Sequence, residues 1–102
     1  SGKTVAPSLA AFQAGAVSAD WNSEPGFAVI LSNPAGATAW PMTASTWILM
    51  YREAQDAEAS AAAVKFFKWA FASGDKMAMD LDYVPMPDSV VNNVSKVLAE
   101  IK

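Results

Sequence analysis

The feature that most constrains the fold is the apolar run from Trp40 to Tyr51 in the middle of the chain. From Thr43 onward it carries Thr, Trp and Ile, residue types that favour β-strands. Because Pro41 cannot donate to a sheet ladder, the predicted strand begins after it. Its second half lacks clean alternation of apolar and polar residues, which is typical of a strand covered on both faces in a mostly parallel sheet. The run therefore predicts an α/β fold with one central strand and packed helices.

The rest of the chain offers no secure partner for this strand. Phe27 to Leu31 is too short for periodicity to distinguish a brief strand from an irregular packed segment. A lone strand leaves its backbone donors and acceptors unpaired. We therefore expect the strand to pair with polypeptide outside these 102 residues or with another copy of the chain.

Two of the predicted helices begin at clear start signals. Ser8 is a good N-cap for a first helix that ends near Asp20. A last helix begins at Pro87, Asp88 and Ser89, where the carboxylate lies at the positive end of the helix dipole. Apolar residues at helical spacing predict its buried stripe: Val90, Val94, Val97 and Ile101.

A long helix lies between them. Asp56 is its predicted N-cap, Ser73 its last residue and Gly74 its left-handed C-cap. Lys65 and Lys68 mark its solvent side. Its predicted apolar stripe is Ala63, Val64, Phe67, Ala70 and Phe71, with Phe66 and Trp69 on the flanks. A short helix from Asp75 to about Leu81 follows.

The composition leaves two interpretations open. A chain of 102 residues suffices for one small domain, and 53% of its residues are hydrophobic, including four Trp and five Phe. Such a composition fits a segment that packs against further polypeptide. It equally fits a compact Ala-rich domain that buries its own aromatic side chains.

Charge and residue usage exclude several classes of function. The net charge is −3 and the seven basic residues are scattered, so we expect no nucleic-acid partner. Cysteine is absent, which rules out disulfides and thiolate metal sites. No apolar run is long enough to span a membrane, and Ser1 to Thr4 opens no signal peptide, so an exported protein would be in its mature form.

The residue types present do not form a convincing enzyme site. Histidine is absent, which removes the usual general base and imidazole metal ligands. Asp80 and Asp82 are the closest acidic pair, but solvated or capping carboxylates explain them better than a catalytic or cation site. Ser73 and Lys76 match the serine acyl-enzyme spacing, yet that chemistry needs the serine at a helix N-terminus, and Ser73 is predicted at a C-terminus. We expect neither an enzyme nor a bound metal or cofactor.

Two further polar features have a structural and a functional interpretation. Thr43, Ser45 and Thr46 offer hydroxyl donors to an oxyanion, although bonds to neighbouring backbone account for such groups more simply. Asn93 begins a glycosylation triplet, but it lies inside the predicted last helix, so we interpret the triplet as a chance match.

Three blocks in this order and spacing carry a resemblance to a known family. They are Trp40–Tyr51, Phe66–Ala70 (FFKWA) and Leu81–Val90 (LDYVPMPDSV). Together they resemble the C-terminal part of the periplasmic phosphate-binding proteins of ABC transporters, and the likeness runs from about Gly2 to Ile101. Proteins of that family are about three times longer than this chain.

The resemblance implies a fold, a location and partners. The family has a two-lobe α/β fold with phosphate in the cleft between lobes. By likeness, residues 1–41 form the end of the second lobe and the approach to the hinge. Residues 42–102 return to the first lobe as a strand and its C-terminal helices. The implied function is part of a periplasmic phosphate-binding protein that delivers inorganic phosphate to the membrane permease of an importer.

The resemblance assigns no phosphate ligand to this chain. In the family, phosphate is held by backbone N–H groups, Ser and Thr hydroxyls, one Arg and one Asp, all from earlier parts of the protein. The Arg-x-x-x-Ser-Gly-Thr loop of the family has no counterpart here, because Arg52 is the only Arg and no Ser-Gly-Thr follows it. No binding residue is carried over. The alternative is that the chain is a non-binding fragment that acts as a folding or self-association module.

Overall fold

A computed structural model describes residues 2–102, which form two units, the first ending at Thr46 and the second spanning Trp47–Lys102. Each unit is described by itself. In the described part of the chain, no helix is both long enough and apolar enough to cross a membrane.

The first unit begins with helix α1, Leu9–Val17. The predicted N-cap is confirmed, because the Ser8 Oγ accepts from the backbone N–H of Ala11 at 3.2 Å. This bond satisfies one of the amide donors that the first turn of a helix leaves unpaired. The helix ends at Val17, before the expected Asp20, and Ser18 closes it with backbone bonds to Ala14 and Ala16.

The core of the first unit is built mostly from small side chains around one indole. Ala11, Ala16 and Ala39 are buried beside Trp21 and Leu31. The Trp21 Nε1–H donates to the Ala16 carbonyl at 2.8 Å, which satisfies the one polar atom that this side chain brings into the core. A 3₁₀ turn, Pro25–Phe27, ends at Phe27, and the residues to Leu31 are irregular. Of the two interpretations of this region, the irregular segment is therefore correct, although only Leu31 is buried and Ile30 is exposed.

Three helices make up most of the second unit: α2 (Ala57–Ser73), α3 (Asp75–Asp80) and α4 (Asp88–Leu98). Helix α2 packs against both α3 and α4. The N-cap predicted for α2 is confirmed, since Asp56 Oδ1 accepts from the Ala59 N–H at 2.9 Å. Pro87 occupies the N-cap position of α4 without a side-chain bond, and Asp88 lies in its first turn.

The apolar stripes of α2 and α4 are partly as predicted. The five stripe residues of α2 are half-buried, while the flanking Phe66 and Trp69 are exposed. On α4, Val90 and Leu98 are buried, whereas Val97 is exposed. The helical period places residues 97 and 98 side by side, and the packing against neighbouring chain selects Leu98.

Gly74 is not the left-handed cap that the sequence predicts. Its φ of −90° and ψ of −10° are right-handed, so the prediction is wrong. What requires glycine is space, because a Cβ at this position would lie 2.5 Å from the carbonyl oxygen of Ala70. That close approach lets α3 begin directly after α2.

The left-handed residue lies at the end of α3 instead. Asp82 has a φ of 62°. The Tyr83 N–H donates to the Ala78 carbonyl at 2.9 Å and the Asp82 N–H to the Met79 carbonyl at 3.1 Å. These two bonds are the Schellman arrangement, which usually has glycine at the position that Asp82 holds.

The predicted central strand is not confirmed. Residues 43–51 have no regular secondary structure, and residues 2–102 contain helices and no strand. Leu49 and Tyr51 are 93% and 82% exposed. The physical reason is that a strand exists only through bonds to a neighbour, and no segment within 2–102 pairs with this one. The chain described here is therefore helical, and the α/β class is not shown by it.

The two interpretations of composition can now be compared. Trp21 is buried, but Trp47, Phe66 and Trp69 are 43%, 56% and 49% exposed. Large apolar residues on the loop after α3, such as Leu81 and Tyr83, are exposed as well. The chain therefore leaves several of its aromatic side chains exposed, which favours the interpretation that it packs against further polypeptide.

Candidate functional site

The Trp-Pro corner at the start of the apolar run is anchored within the first unit. The Trp40 N–H donates to the carbonyl of Ala11 in α1 at 3.0 Å, and the Asn33 N–H donates to the Pro41 carbonyl at 2.7 Å. The Trp40 ring meets Phe12 edge-on, with centroids 6.4 Å apart. One backbone bond and one aromatic contact thus hold the corner against α1, and a second backbone bond joins it to Asn33.

The three hydroxyls that follow the corner do not form an anion site together. Thr43 Oγ1 donates to the Trp40 carbonyl at 3.0 Å, so its proton is used within the corner, as the simpler interpretation predicts. Thr46 is exposed. Ser45 Oγ is buried and has no hydrogen-bond partner among the described residues. One unpaired hydroxyl without a cation beside it is too little to hold a dehydrated phosphate.

An open cleft of about 520 Å³ lies where the chain enters α2. Its lining includes Met50, Tyr51 and the buried Ser60, together with the carboxylates of Glu53 and Asp56. No Lys or Arg is part of this lining. Two carboxylates disfavour phosphate here, because like charges repel at short range.

Arg52 is held by the end of the chain. Its guanidinium forms an ion pair with Glu100. The Lys102 N–H donates to the Arg52 carbonyl at 2.9 Å, and the Ala54 N–H donates to the Lys102 carbonyl at 3.1 Å. These two bonds join Lys102 to the backbone on either side of Glu53. The one Arg of the chain is thus committed to an internal contact.

The acidic pair and the Ser-Lys pair do not assemble into catalytic sites. Lys76 Nζ lies 2.7 Å from Asp80 Oδ2 as an exposed i,i+4 ion pair. Its ammonium is therefore paired with Asp80, while Ser73 is the last residue of α2 rather than the first residue of a helix. Asp82 holds the turn after α3. No group of three or more potential metal-binding side chains was found among residues 2–102.

The glycosylation triplet lies where the sequence places it. Asn93 is a half-buried residue inside α4. A glycan acceptor normally lies on an exposed loop. Its position therefore favours a chance match.

Comparison with known proteins gives a clear set of relatives. No family model matches the chain. The chain is 43% identical over 93 residues to the phosphate-binding protein PstS of Pasteurella multocida. This match covers 91% of the chain and 27% of that protein. It is 41% identical to PstS of Xylella fastidiosa strain 9a5c and 40% identical to PstS of Haemophilus influenzae, again over 91% of the chain.

The match is to one part of these proteins. The chain spans about a quarter of the length of the curated relatives it matches. The matching part is their C-terminal segment. Identity of 40–43% across nine tenths of the chain makes it similar to the C-terminal segment of PstS phosphate-binding proteins. The relatives are named as binding proteins, not as enzymes.

Proposed function

We propose that this chain is the C-terminal part of a periplasmic phosphate-binding protein that delivers phosphate to an ABC importer. The observation that carries the proposal is the 40–43% identity to PstS proteins over 91% of the chain. The chain accounts for 26–28% of these relatives, so about three quarters of the whole protein lies outside it. The phosphate ligands belong to that remaining part.

The contacts of the described residues support a phosphate site that lies outside this chain. Thr43 is hydrogen-bonded within its own corner, and Arg52 is paired with Glu100. The cleft at the start of α2 presents carboxylates. A phosphate site needs several converging donors and a compensating charge, and these residues are instead used in internal contacts.

The fold proposed for the whole protein is two-lobed and α/β. Residues 1–41 would form the end of the second lobe and the approach to the hinge, and residues 42–102 the return strand and C-terminal helices of the first lobe. Residues 43–51 would become a central strand once neighbouring strands supply hydrogen bonds. The exposed side chains of Ile48, Leu49 and Tyr51 support this proposal, because a strand covered by helices needs apolar residues on both faces.

The partners proposed for the whole protein are inorganic phosphate and the membrane permease of the transporter. Within the protein, the C-terminal part would pack on the remaining polypeptide. The exposed Phe66 and Trp69 of α2 and the exposed Leu81 and Tyr83 after α3 support such packing.

A second candidate function applies to the chain by itself. The same exposed Ile48, Leu49 and Tyr51 favour self-association, since an exposed strand-forming segment can take a second copy as its neighbour. In that case the chain would be a non-binding module that folds through association.

A chimaeric protein tests the first proposal. The matching segment of the Pasteurella multocida relative would be replaced by residues of this chain, and phosphate binding would be measured by isothermal calorimetry with sulfate as the control anion. We expect the chimaera to bind phosphate and not sulfate, while the isolated chain binds neither. A folded chimaera without phosphate affinity would contradict the proposal. Phosphate binding by the isolated chain would show that the ligands lie within it.

A further inference from the structure

A groove of about 330 Å³ in the second unit lies between α2 and the C-terminal end of α4 with the residues that follow it. Its apolar lining includes Val64, the buried Leu98 and the half-buried Ile101, together with Ala61 and Ala99. Lys65 and Lys68 of α2 also line the groove and are exposed. The groove thus combines an apolar floor with two cationic side chains at positions i and i+3 of one helix.

The two lysines have no anionic partner in the part of the chain that the structure describes. The ion pairs there join Arg52 to Glu100 and Lys76 to Asp80. Glu58, the nearest carboxylate along α2, lies two helical turns before Lys65. In a chain with a net charge of −3, the groove is therefore a local cationic site without internal compensation.

The spacing of the lysines defines what complements them. Residues i and i+3 of a helix have Cβ atoms about 5–6 Å apart, so two carboxylates one turn apart on another helix match them. The apolar floor would receive that helix's apolar side chains, as in other helix-in-groove contacts. A nucleic acid is a poorer match, because two cations neutralise few phosphates and the apolar floor has no side-chain groups that could hydrogen-bond to bases.

We propose that the groove between α2 and α4 docks an acidic amphipathic helix of a partner protein. Val64, Leu98 and Ile101 contact its apolar face, and Lys65 and Lys68 pair with carboxylates one turn apart. Both lysines are exposed, so their ammonium groups are free to pair with the partner's carboxylates when it docks. The proposal does not depend on phosphate binding.

A pair of synthetic helical peptides tests the site on the chimaera described above, in which residues of this chain replace the matching segment of the Pasteurella multocida relative. Both have the same leucine face, and they carry either two Glu or two Lys residues one turn apart. Affinity is measured by fluorescence anisotropy at low and at physiological salt. We expect binding of the acidic peptide alone, weakened by salt because the charges lie at the rim.

Charge reversal locates the contact. Lys65→Glu with Lys68→Glu is expected to lower affinity for the acidic peptide at least about tenfold and to create affinity for the basic one. Lys3→Glu with Lys96→Glu changes the net charge equally away from the groove lining and should leave affinity within about twofold. Helical circular dichroism confirms that each variant is folded.

Three results would overturn the proposal. These are equal losses in both double variants, equal binding of the two peptides, and no acidic-peptide binding at millimolar concentration. Binding to anionic lipid vesicles is measured as well. If the vesicles bind through Lys65 and Lys68 while the acidic peptide does not, the surface recognises a membrane and the proposed partner is wrong.

Discussion

Asp82 holds a backbone conformation that L-residues adopt at a cost. Its φ of 62° lies in the left-handed region, where Asp is tolerated better than most residues but less well than glycine. Gly74, at the junction of α2 and α3, has an ordinary right-handed conformation and is needed for a close approach to Ala70. Both positions thus favour glycine, Asp82 because of its left-handed φ and Gly74 because of the space that a Cβ would need.

Replacing Asp82 with Gly is expected to stabilise the chain. The Schellman bonds to Ala78 and Met79 stay, while the left-handed strain is relieved, so the free energy of unfolding should rise by about 0.5–1 kcal/mol. Urea denaturation followed by circular dichroism measures the change. The matched control is Gly74→Ala, which places a Cβ 2.5 Å from the Ala70 oxygen and should destabilise. A neutral or destabilising Asp82→Gly would mean that the carboxylate makes a compensating contact.

At the scale of elements, the N-cap of α2 and the composition of its first turns both favour a helix. Asp56 caps it, Glu58 lies in its first turn, and alanines fill much of its N-terminal half. Each of these features is local to the helix and favours it independently of packing. Its aromatic C-terminal half, with Phe66, Phe67 and Trp69 in mutual contact, depends on neighbours for cover.

Removal of the α2 cap gives a prediction at this scale. Asp56→Ala leaves the Ala59 N–H without its side-chain acceptor and should lower the free energy of unfolding by about 1 kcal/mol. Asp56→Asn keeps an acceptor oxygen and should retain most of that stability. Thermal and urea denaturation measure the stability of both variants. Equal losses of unfolding free energy in the two variants would show that the charge of Asp56 matters and its hydrogen bond does not.

At the scale of the whole molecule, the main property is uncovered apolar surface. Leu49 and Tyr51 are among the most exposed large side chains, and Phe66 and Trp69 add aromatic surface on α2. Soluble proteins that function alone rarely leave such groups in water. The surface fits a chain that completes its core with further polypeptide, either the rest of the protein or another copy.

Substituting lysine for exposed apolar residues at positions 49 and 51 should suppress association of the isolated chain. We expect Leu49→Lys with Tyr51→Lys to shift the mass measured by light scattering toward the monomer, because buried charges disfavour an interface. Gln55→Lys with Ala62→Lys adds two positive charges at other exposed positions and should leave the association unchanged. If both double variants dissociate alike, net charge rather than this segment governs association.

Some features of the candidate sites depend on neighbouring residues, and others depend on residues that are distant in the sequence. The sequence alone predicts that Thr43 bonds to nearby backbone and that Ser73 lies at the C-terminus of α2, and the structure confirms both. It marks Lys65 and Lys68 as solvent-facing but does not reveal that they line a groove. That groove depends on where α4 lies relative to α2, which no local pattern encodes.

The sequence by itself determines the helices of this chain and where they start. Ser8 and Asp56 act through bonds to amides three residues away, so these starts need no information from elsewhere in the fold. Only the tertiary structure decides which residue turns left-handed after α3, which residue of α4 is buried, and whether residues 43–51 form a strand. These features depend on groups that are distant in sequence, and a strand in particular exists only where another strand satisfies its backbone.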